Sequence, residues 1–247
     1  MRLTVVGCSG SGPGPTSPAS SYLVEHDGFR VLLDLGNGAF GTLQALADPA
    51  TVDALYLSHL HADHCLDVAP FIVWHRYSGR SRRRPVPLYA PAGADRRLAA
   101  AYYGDGAPLE DVFDFAVLTG APFDLGPFQV QTVRTAHPVE CHAVRLTAGG
   151  RSLVYTGDTG ASTAVVELAR GVDVLLAEAA HPDVPGLPPD LHLTGREAGE
   201  HARKAGAKRV VITHISDELD LLWAQTEADA GFGARVDIAR EGAAYNI

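Results

Sequence analysis

The sequence predicts an α/β fold in which sheets are covered by helices. Two observations carry this. Short apolar, β-rich runs recur along the whole chain, and helix-like segments fall between several of them. Strand pairs come first and strands interleaved with helices follow, the order expected of sheets with helical layers. No Pro/Ser-rich linker, shift in composition or short-period repeat divides the 247 residues, which read as a single domain over 1–247.

In order, the strand-like runs are LTVVG, SYLVEH, RVLLDLG, ALYLSHL, VPLYAP, FQVQTVRTAH, HAVRLTA, SLVYTGD, VDVLLAEA, RVVITHI and RVDIAR. Helices are expected near 40–47, 92–103, 161–170, 195–205 and 218–230. The fourth has the clearest boundaries. Thr194 can cap it while Glu197 reaches back in a capping box, Ala198, Ala202 and Ala205 give it a small apolar face, and Gly206 can end it.

Composition narrows the function classes. With 20 Lys and Arg against 29 Asp and Glu, the net charge of −9 favours solubility and argues against broad electrostatic binding of nucleic acid. The opening MRLTVVGCSGSG lacks the apolar run of a signal peptide. No stretch approaches the ~18 uninterrupted apolar residues of a membrane helix. Cys8, Cys65 and Cys141 have no framework spacing, so a reducing cytoplasm is the expected compartment. One segment departs from the acidic background. HRYSGRSRRRP, residues 75–85, holds five arginines and no acid, and is expected to be an exposed loop that either attracts a phosphate-bearing substrate or is simply solvated.

The strongest chemical signal is SHLHADHC, residues 58–65, which crowds His59, His61, Asp63 and His64 directly after an apolar strand. In an extended segment His59 and His61 point to one side, and Asp63 and His64 follow after the chain turns. That spacing suits two metal ions sharing a cleft. Two ions need more ligands, and His137 in RTAHP, Asp158 in YTGDTG and His214 in VITHI each follow an apolar run. A carboxylate can bridge two cations, which suits Asp158. Imidazole and carboxylate donors suit zinc, with manganese or iron as alternatives.

This set resembles that of the metallo-β-lactamase fold superfamily. The resemblance implies a four-layer αββα sandwich with a dinuclear site at one edge of its two sheets. It implies that His59, His61 and His137 hold one ion, that Asp63, His64 and His214 hold the other, and that Asp158 bridges them. It further implies that Asp34, in LLDLGNG, orients loops near the site; a strand-end aspartate capping a turn is the alternative. Two such ions would activate a bridging water and clamp a substrate oxygen.

HLTGREA, from His192 to Ala198, resembles the HxTxxEA loop of the ribonuclease Z-like phosphodiesterase branch, and AEAA around Glu178 matches that branch in part, with Ala177 and Ala180 replacing the usual His and Thr. The implied roles are a general acid for His192 and an orienting carboxylate for Glu178, with Asp63 beside the activated water. The competing readings are a capping neighbour for His192 and a buried acid satisfied by backbone donors for Glu178. The Gly/Ser-rich first loop, with Ser9, Gly10 and Ser11, also looks like this branch, and its N–H groups could bind a phosphate oxygen.

GCSGSGPGPTSPASSY, SHLHADHCLDV, YTGDTG and PPDLHLTG together resemble most closely a set of actinobacterial atypical cyclic-nucleotide phosphodiesterases. That likeness implies a small phosphodiester substrate, 3′,5′-cyclic AMP hydrolysed to 5′-AMP. Relatives that trim tRNA carry a long arm between the ligands matching His137 and Asp158. Here PVECHAVRLTAGGRSLVYTG leaves room only for two strands and a tight turn, which disfavours a folded RNA. The alternatives are a tRNA 3′-end endonuclease, a lactone or thioester hydrolase, and a non-catalytic metal-binding protein. A homodimer is expected from family relatives, which often pair.

Overall fold

Two seven-stranded mixed sheets lie face to face in a computed structural model that describes residues 1–104, 107–182, 184, 186 and 188–247. The strands of the first half are β1 (Arg2–Gly7), β2 (Ser21–His26), β3 (Phe29–Leu33), β4 (Ala54–Tyr56), β5 (Val86–Ala90) and β6 (Phe113–Val117). Those of the second are β7 (Phe123–Leu125), β8 (Phe128–Arg134), β9 (His142–Ala148), β10 (Arg151–Tyr155), β11 (Val174–Glu178), β12 (Arg209–Thr213) and β13 (Asp237–Ile238). A last strand, β14 (Ala244–Asn246), returns to the first sheet. The sheet orders are β14-β1-β2-β3-β4-β5-β6 and β13-β12-β11-β10-β9-β8-β7.

The helices are α1 (Ala39–Leu46), α2 (Ala62–Cys65), α3 (Val68–Tyr77), α4 (Ala94–Tyr103), α5 (Thr163–Leu168), α6 (Gly195–Ala205) and α7 (Leu221–Phe232). Side-chain alternation sorts the strands between layers. Val31, Leu33 and Tyr56 pack against Val130, Leu146 and Tyr155 between the sheets, while Leu32 and Leu55 turn outward onto Leu43, Phe71 and Ile72. On the other side, Val154, Leu175 and Ile212 pack onto Val165, Ala198 and Ala228. Burial on both faces explains why the parallel strands read as unbroken apolar runs. The result is the αββα sandwich.

All five expected helices are present, four with shifted ends and α6 at the expected bounds, and Thr194, Glu197 and Gly206 act as expected: both capping-box bonds form and Gly206 closes α6 at φ 66°. The reading of 75–85 as loop needs correction. His75, Arg76 and Tyr77 are the last residues of α3, a helix that its apolar sequence and Pro70 disguised. Pro70 sits in the first turn, where a missing N–H costs nothing. Strands β6, β7 and β14 were also not anticipated. The turn after His137 is as tight as expected: Gly149 and Gly150, at φ 57° and 72°, join β9 to β10 in a hairpin whose centre needs two positive φ angles.

Candidate metal centre

Strands β3 to β6 run parallel, as do β10 to β13, so each sheet collects the loops after its parallel strands at one edge. After β4 the chain leaves the sheet at Leu57. The Ser58 N–H and hydroxyl both donate to Asp34, at 2.7 Å each. Asp34 follows β3 in the left-handed region (φ 57°), which a short polar side chain tolerates. Its buried carboxylate also accepts from Tyr155 Oη and His64 Nδ1, each at 2.7 Å. Asp34 therefore binds loops together, and its oxygens are spent on donors.

The seven expected donors come together. His59 Nε2 and His137 Nε2 lie 3.0 and 3.2 Å from His61 Nδ1. His64 Nε2 lies 3.4 Å from Asp63 Oδ2 and 3.2 Å from Asp158 Oδ1, and His214 Nε2 lies 3.7 and 3.6 Å from the same two oxygens. Asp158 divides its carboxylate: Oδ1 faces His64 and His214, while Oδ2 lies 3.5 Å from His59 Nε2. Among the described residues, two groups of donors drawn from both halves are able to hold a cation, His59–His61–His137–Asp158 and Asp63–His64–Asp158–His214, and a third comes from the second half alone, Asp158–Glu178–His192. The donor chemistry fits a metal. His64 Nε2 and Asp158 Oδ1 are buried and make no hydrogen bond, a cost that a cation between them would relieve.

Four of the imidazoles are held from behind. Nδ1 of His64 donates to Asp34, Nδ1 of His137 donates to the Leu191 carbonyl at 2.9 Å, and Nδ1 of His59 and His214 pair with the hydroxyls of Ser58 and Ser20 at 3.1 and 2.8 Å. Each such contact fixes the ring and leaves Nε2 facing inward. Ser20, Tyr155 and the Leu191 carbonyl were missed from the sequence, since a single hydroxyl or carbonyl carries no spacing signal. Burial holds His59 well below the ordinary imidazole range and pushes His214 down to about 4. For His64 burial acts the same way, but the charges of Asp158 and Asp34 overcome it and hold the ring well above that range. Burial would raise Asp158, yet the surrounding imidazoles hold it well below the usual carboxylate range.

Beside this cluster, Glu178 ends β11, fully buried, and accepts from the N–H groups of Thr159 and Ala180 and from His192 Nδ1 at 2.7, 3.2 and 3.0 Å. His192 Nδ1 is 3.9 Å from Asp158 Oδ2. Burial pushes Glu178 up to about 7. The same desolvation acts to lower His192, but its bond to Glu178 outweighs it, so the imidazole is raised above its ordinary range. A cavity of about 560 Å³ opens beside His192, lined in part by Gly160, His181, Pro188 and Asp190.

The first loop packs against the same edge. Ser9 is buried and its N–H is bound to the Pro18 carbonyl. A Cβ on Gly10 would lie 2.4 Å from the His214 carbonyl, so this crossing requires glycine. Ser11 is exposed, and its N–H points at His214 Nε2 from 3.4 Å. Ser11 thus has its amide turned toward the cluster, and Ser9 does not. The arginine segment lies at the other end of the sheet: Arg82 pairs with Asp53, just before β4, and Arg76 with Asp111. Cys65 and Cys141 are buried and unpaired. His75 bonds the Arg84 carbonyl and His201 accepts from Ser162 N–H, both away from the cluster.

Comparison with known proteins gives the family. A family model described as the β-lactamase superfamily domain matches residues 29–215. An uncharacterized protein of Mycobacterium leprae is 43% identical over 253 residues, covering 100% of this chain and 89% of that protein. The probable metallo-hydrolase YhfI of Bacillus subtilis is 28% identical over 251 residues, covering 98% of both chains. Its crystal structure, described as a metallo-β-lactamase fold protein, superposes with a TM-score of 0.88 at 27% identity, over 99% of this chain and 98% of that one. A ribonuclease Z of Haloarcula marismortui is 26% identical over 305 residues, covering 98% of this chain and 95% of its own. The chain belongs to the β-lactamase superfamily and has the metallo-β-lactamase fold.

Proposed function

We propose that this metal-dependent hydrolase is a phosphodiesterase that cleaves a small diester, 3′,5′-cyclic AMP before others, to the 5′-monophosphate. The observation that carries the reading is the Glu178–His192 pair set 3.9 Å from the shared carboxylate of Asp158. In this reading His59, His61 and His137 hold one divalent ion, Asp63, His64 and His214 the other, and Asp158 both, with zinc, manganese or iron as the metal. When bound, such a pair of ions lowers the pKa of water and neutralises charge on a phosphoryl oxygen.

The chain's own residues supply the rest. Glu178 fixes the His192 ring through Nδ1 and favours its protonated form, so Nε2 can deliver a proton to the departing oxygen. Asp63, kept ionised chiefly by His64 against the cost of burial, is the proton acceptor on the opposite side. Ser11 N–H is the group of the first loop suited to a phosphoryl oxygen. A thiolate leaves without needing a general acid, so an acid at His192 favours a substrate with an oxygen leaving group over a thioester. Likeness to a ribonuclease Z supports phosphodiester chemistry, and the two-glycine hairpin at 149–150, too short for an RNA-gripping arm, favours a small substrate. The test is incubation of the purified protein with cyclic AMP and Mn²⁺ or Zn²⁺, with chromatographic detection of 5′-AMP and Asp158→Ala as control. Product that disappears in the variant is the expected outcome. Absence of product from metal-loaded protein refutes the cyclic nucleotide, and precursor tRNA is then the substrate to try.

A further inference from the structure

Three residues beyond Glu178 lies a histidine that the relay does not use. The His181 N–H donates to the Leu193 carbonyl at 3.0 Å, and His181 forms a parallel bridge with Thr194, the cap of α6. Its partly buried ring stands edge-to-face with that of His192, centroids 5.0 Å apart and planes at 80°. No described residue is hydrogen-bonded to its ring nitrogens. Both imidazoles line the cavity of about 560 Å³, a volume within the range of small-molecule sites. The segment carrying Asp190 and His192 is held to the cluster at three points. A Cβ on Gly160, two residues past Asp158, would lie 2.7 Å from Asp190 Cα, His137 Nδ1 donates to the Leu191 carbonyl, and His192 Nδ1 donates to Glu178. Asp190 itself takes the left-handed region at φ 57°, and its carboxylate bonds no described residue.

We propose that this cavity is the subsite for the nucleoside of the departing group, with its base packed against the His181 ring and Asp190 accepting from its N–H or O–H donors. The inference rests on the phosphodiester reading above and adds what the leaving group must be. Cleavage to the 5′-monophosphate breaks the bond between phosphorus and O3′, and O3′ takes its proton from His192. The ribose and base attached to O3′ then lie on the His192 side of the cluster, where the cavity opens. Its lining suits a flat, uncharged occupant. His181 and Pro188 offer flat surface, and base–aromatic stacking tolerates any base. Three carboxylates, Asp190, Glu197 and Glu200, face one guanidinium, Arg196, which pairs with Glu227. Glu197 already occupies the amino end of α6 through its capping box, and Glu200 pairs with Lys204 at 3.4 Å. A longer chain would carry a second phosphate on the departing nucleoside, against those carboxylates. A cyclic mononucleotide carries none there, because its O5′ is bonded to the same phosphorus.

Two cyclic diesters and two variants of one residue test this on the metal-loaded full chain. The diesters are 3′,5′-cyclic AMP and methyl ribofuranoside 3,5-cyclic phosphate, which has the same reacting ring and no base. His181→Ala should lower kcat/KM for cyclic AMP about tenfold relative to the base-free diester, through KM. His181→Phe keeps a flat ring and should restore most of the loss. A fall in kcat that is equal for both diesters would mean that His181 acts only through His192, and overturns the proposal, as does an unchanged ratio. Calorimetric titration with 5′-AMP reads the subsite without turnover: affinity should drop about tenfold in His181→Ala and recover in His181→Phe. If neither diester is hydrolysed, the phosphodiesterase reading fails and this titration decides alone. No binding of 5′-AMP by the wild-type chain, or equal affinity in His181→Ala, then overturns the subsite.

Discussion

In the first half of the chain, antiparallel β1 to β3 lead into parallel β3 to β6. In the second, antiparallel β7 to β10 lead into parallel β10 to β13. The strand plans are alike, yet the halves furnish the site differently. The first half contributes His59, His61, Asp63 and His64 from one loop and the start of one short helix, braced locally by Asp34. The second contributes single residues after successive strands: His137 after β8, Asp158 after β10, Glu178 at the end of β11 and His214 after β12. A compact cluster depends on one turn being right. A dispersed set depends on strand register, and here the ladder pairing Leu153 with Val174 and Val174 with Arg209 aligns the three loops.

The sharpest break of this comparison is at Asp158, which the second half lends to both groups of donors. Asp158→Ala should abolish turnover and deplete bound metal, as read by elemental analysis; full metal content with normal turnover would remove it from the centre. Next in size is His192→Ala, which should slow hydrolysis by about 10²–10⁴-fold while metal content stays constant. Its pH dependence has a definite sign. The imidazole is raised above its ordinary 6.5, so the rate should hold on the acid side of that raised value and fall as pH rises through it. Glu178→Gln removes the supporting carboxylate and should move this alkaline fall to lower pH. A fall that does not move separates Glu178 from the relay.

The first half is probed at its brace. Asp34→Asn turns an amide donor toward groups that already donate, and should weaken metal binding by about 10–100-fold, measured by calorimetric titration. An unchanged affinity would show that the local cluster needs no support. The smallest effect is expected far from the chemistry: Thr194→Ala removes the cap of α6 and should lower stability by about 1 kcal/mol in urea unfolding.

The same contrast explains what was legible in the sequence. His59 to His64 announced themselves by spacing, and Asp158 and His214 by following unmistakable apolar strands. Strand β6 was not legible, because FDFAV is short and alternates weakly, with Phe113 buried, Asp114 and Val117 exposed and two intermediate positions between them. Helix α3 was obscured because Pro70 reads as a breaker when its place in the first turn is unknown. Ser20, Tyr155 and the Leu191 carbonyl could not be found at all: each acts through one long-range hydrogen bond, to His214, Asp34 and His137 respectively, and nothing in their neighbours specifies the partner. The arginine segment was conspicuous in composition, but its ion pairs with Asp53 and Asp111 depend on where β4 begins and β6 follows.

The division of the Asp158 carboxylate has a mechanical meaning as well. Its oxygens belong to the second half and face His59 and His64 of the first as well as His214, so a cation bound on either side would tie the rims of the two sheets together. Loading and folding are then a single linked equilibrium, and the thermal midpoint should climb with free metal concentration. Chelation should loosen the rim first, exposing the loops at 57–64 and 157–162 to protease while the sandwich between the sheets stays closed.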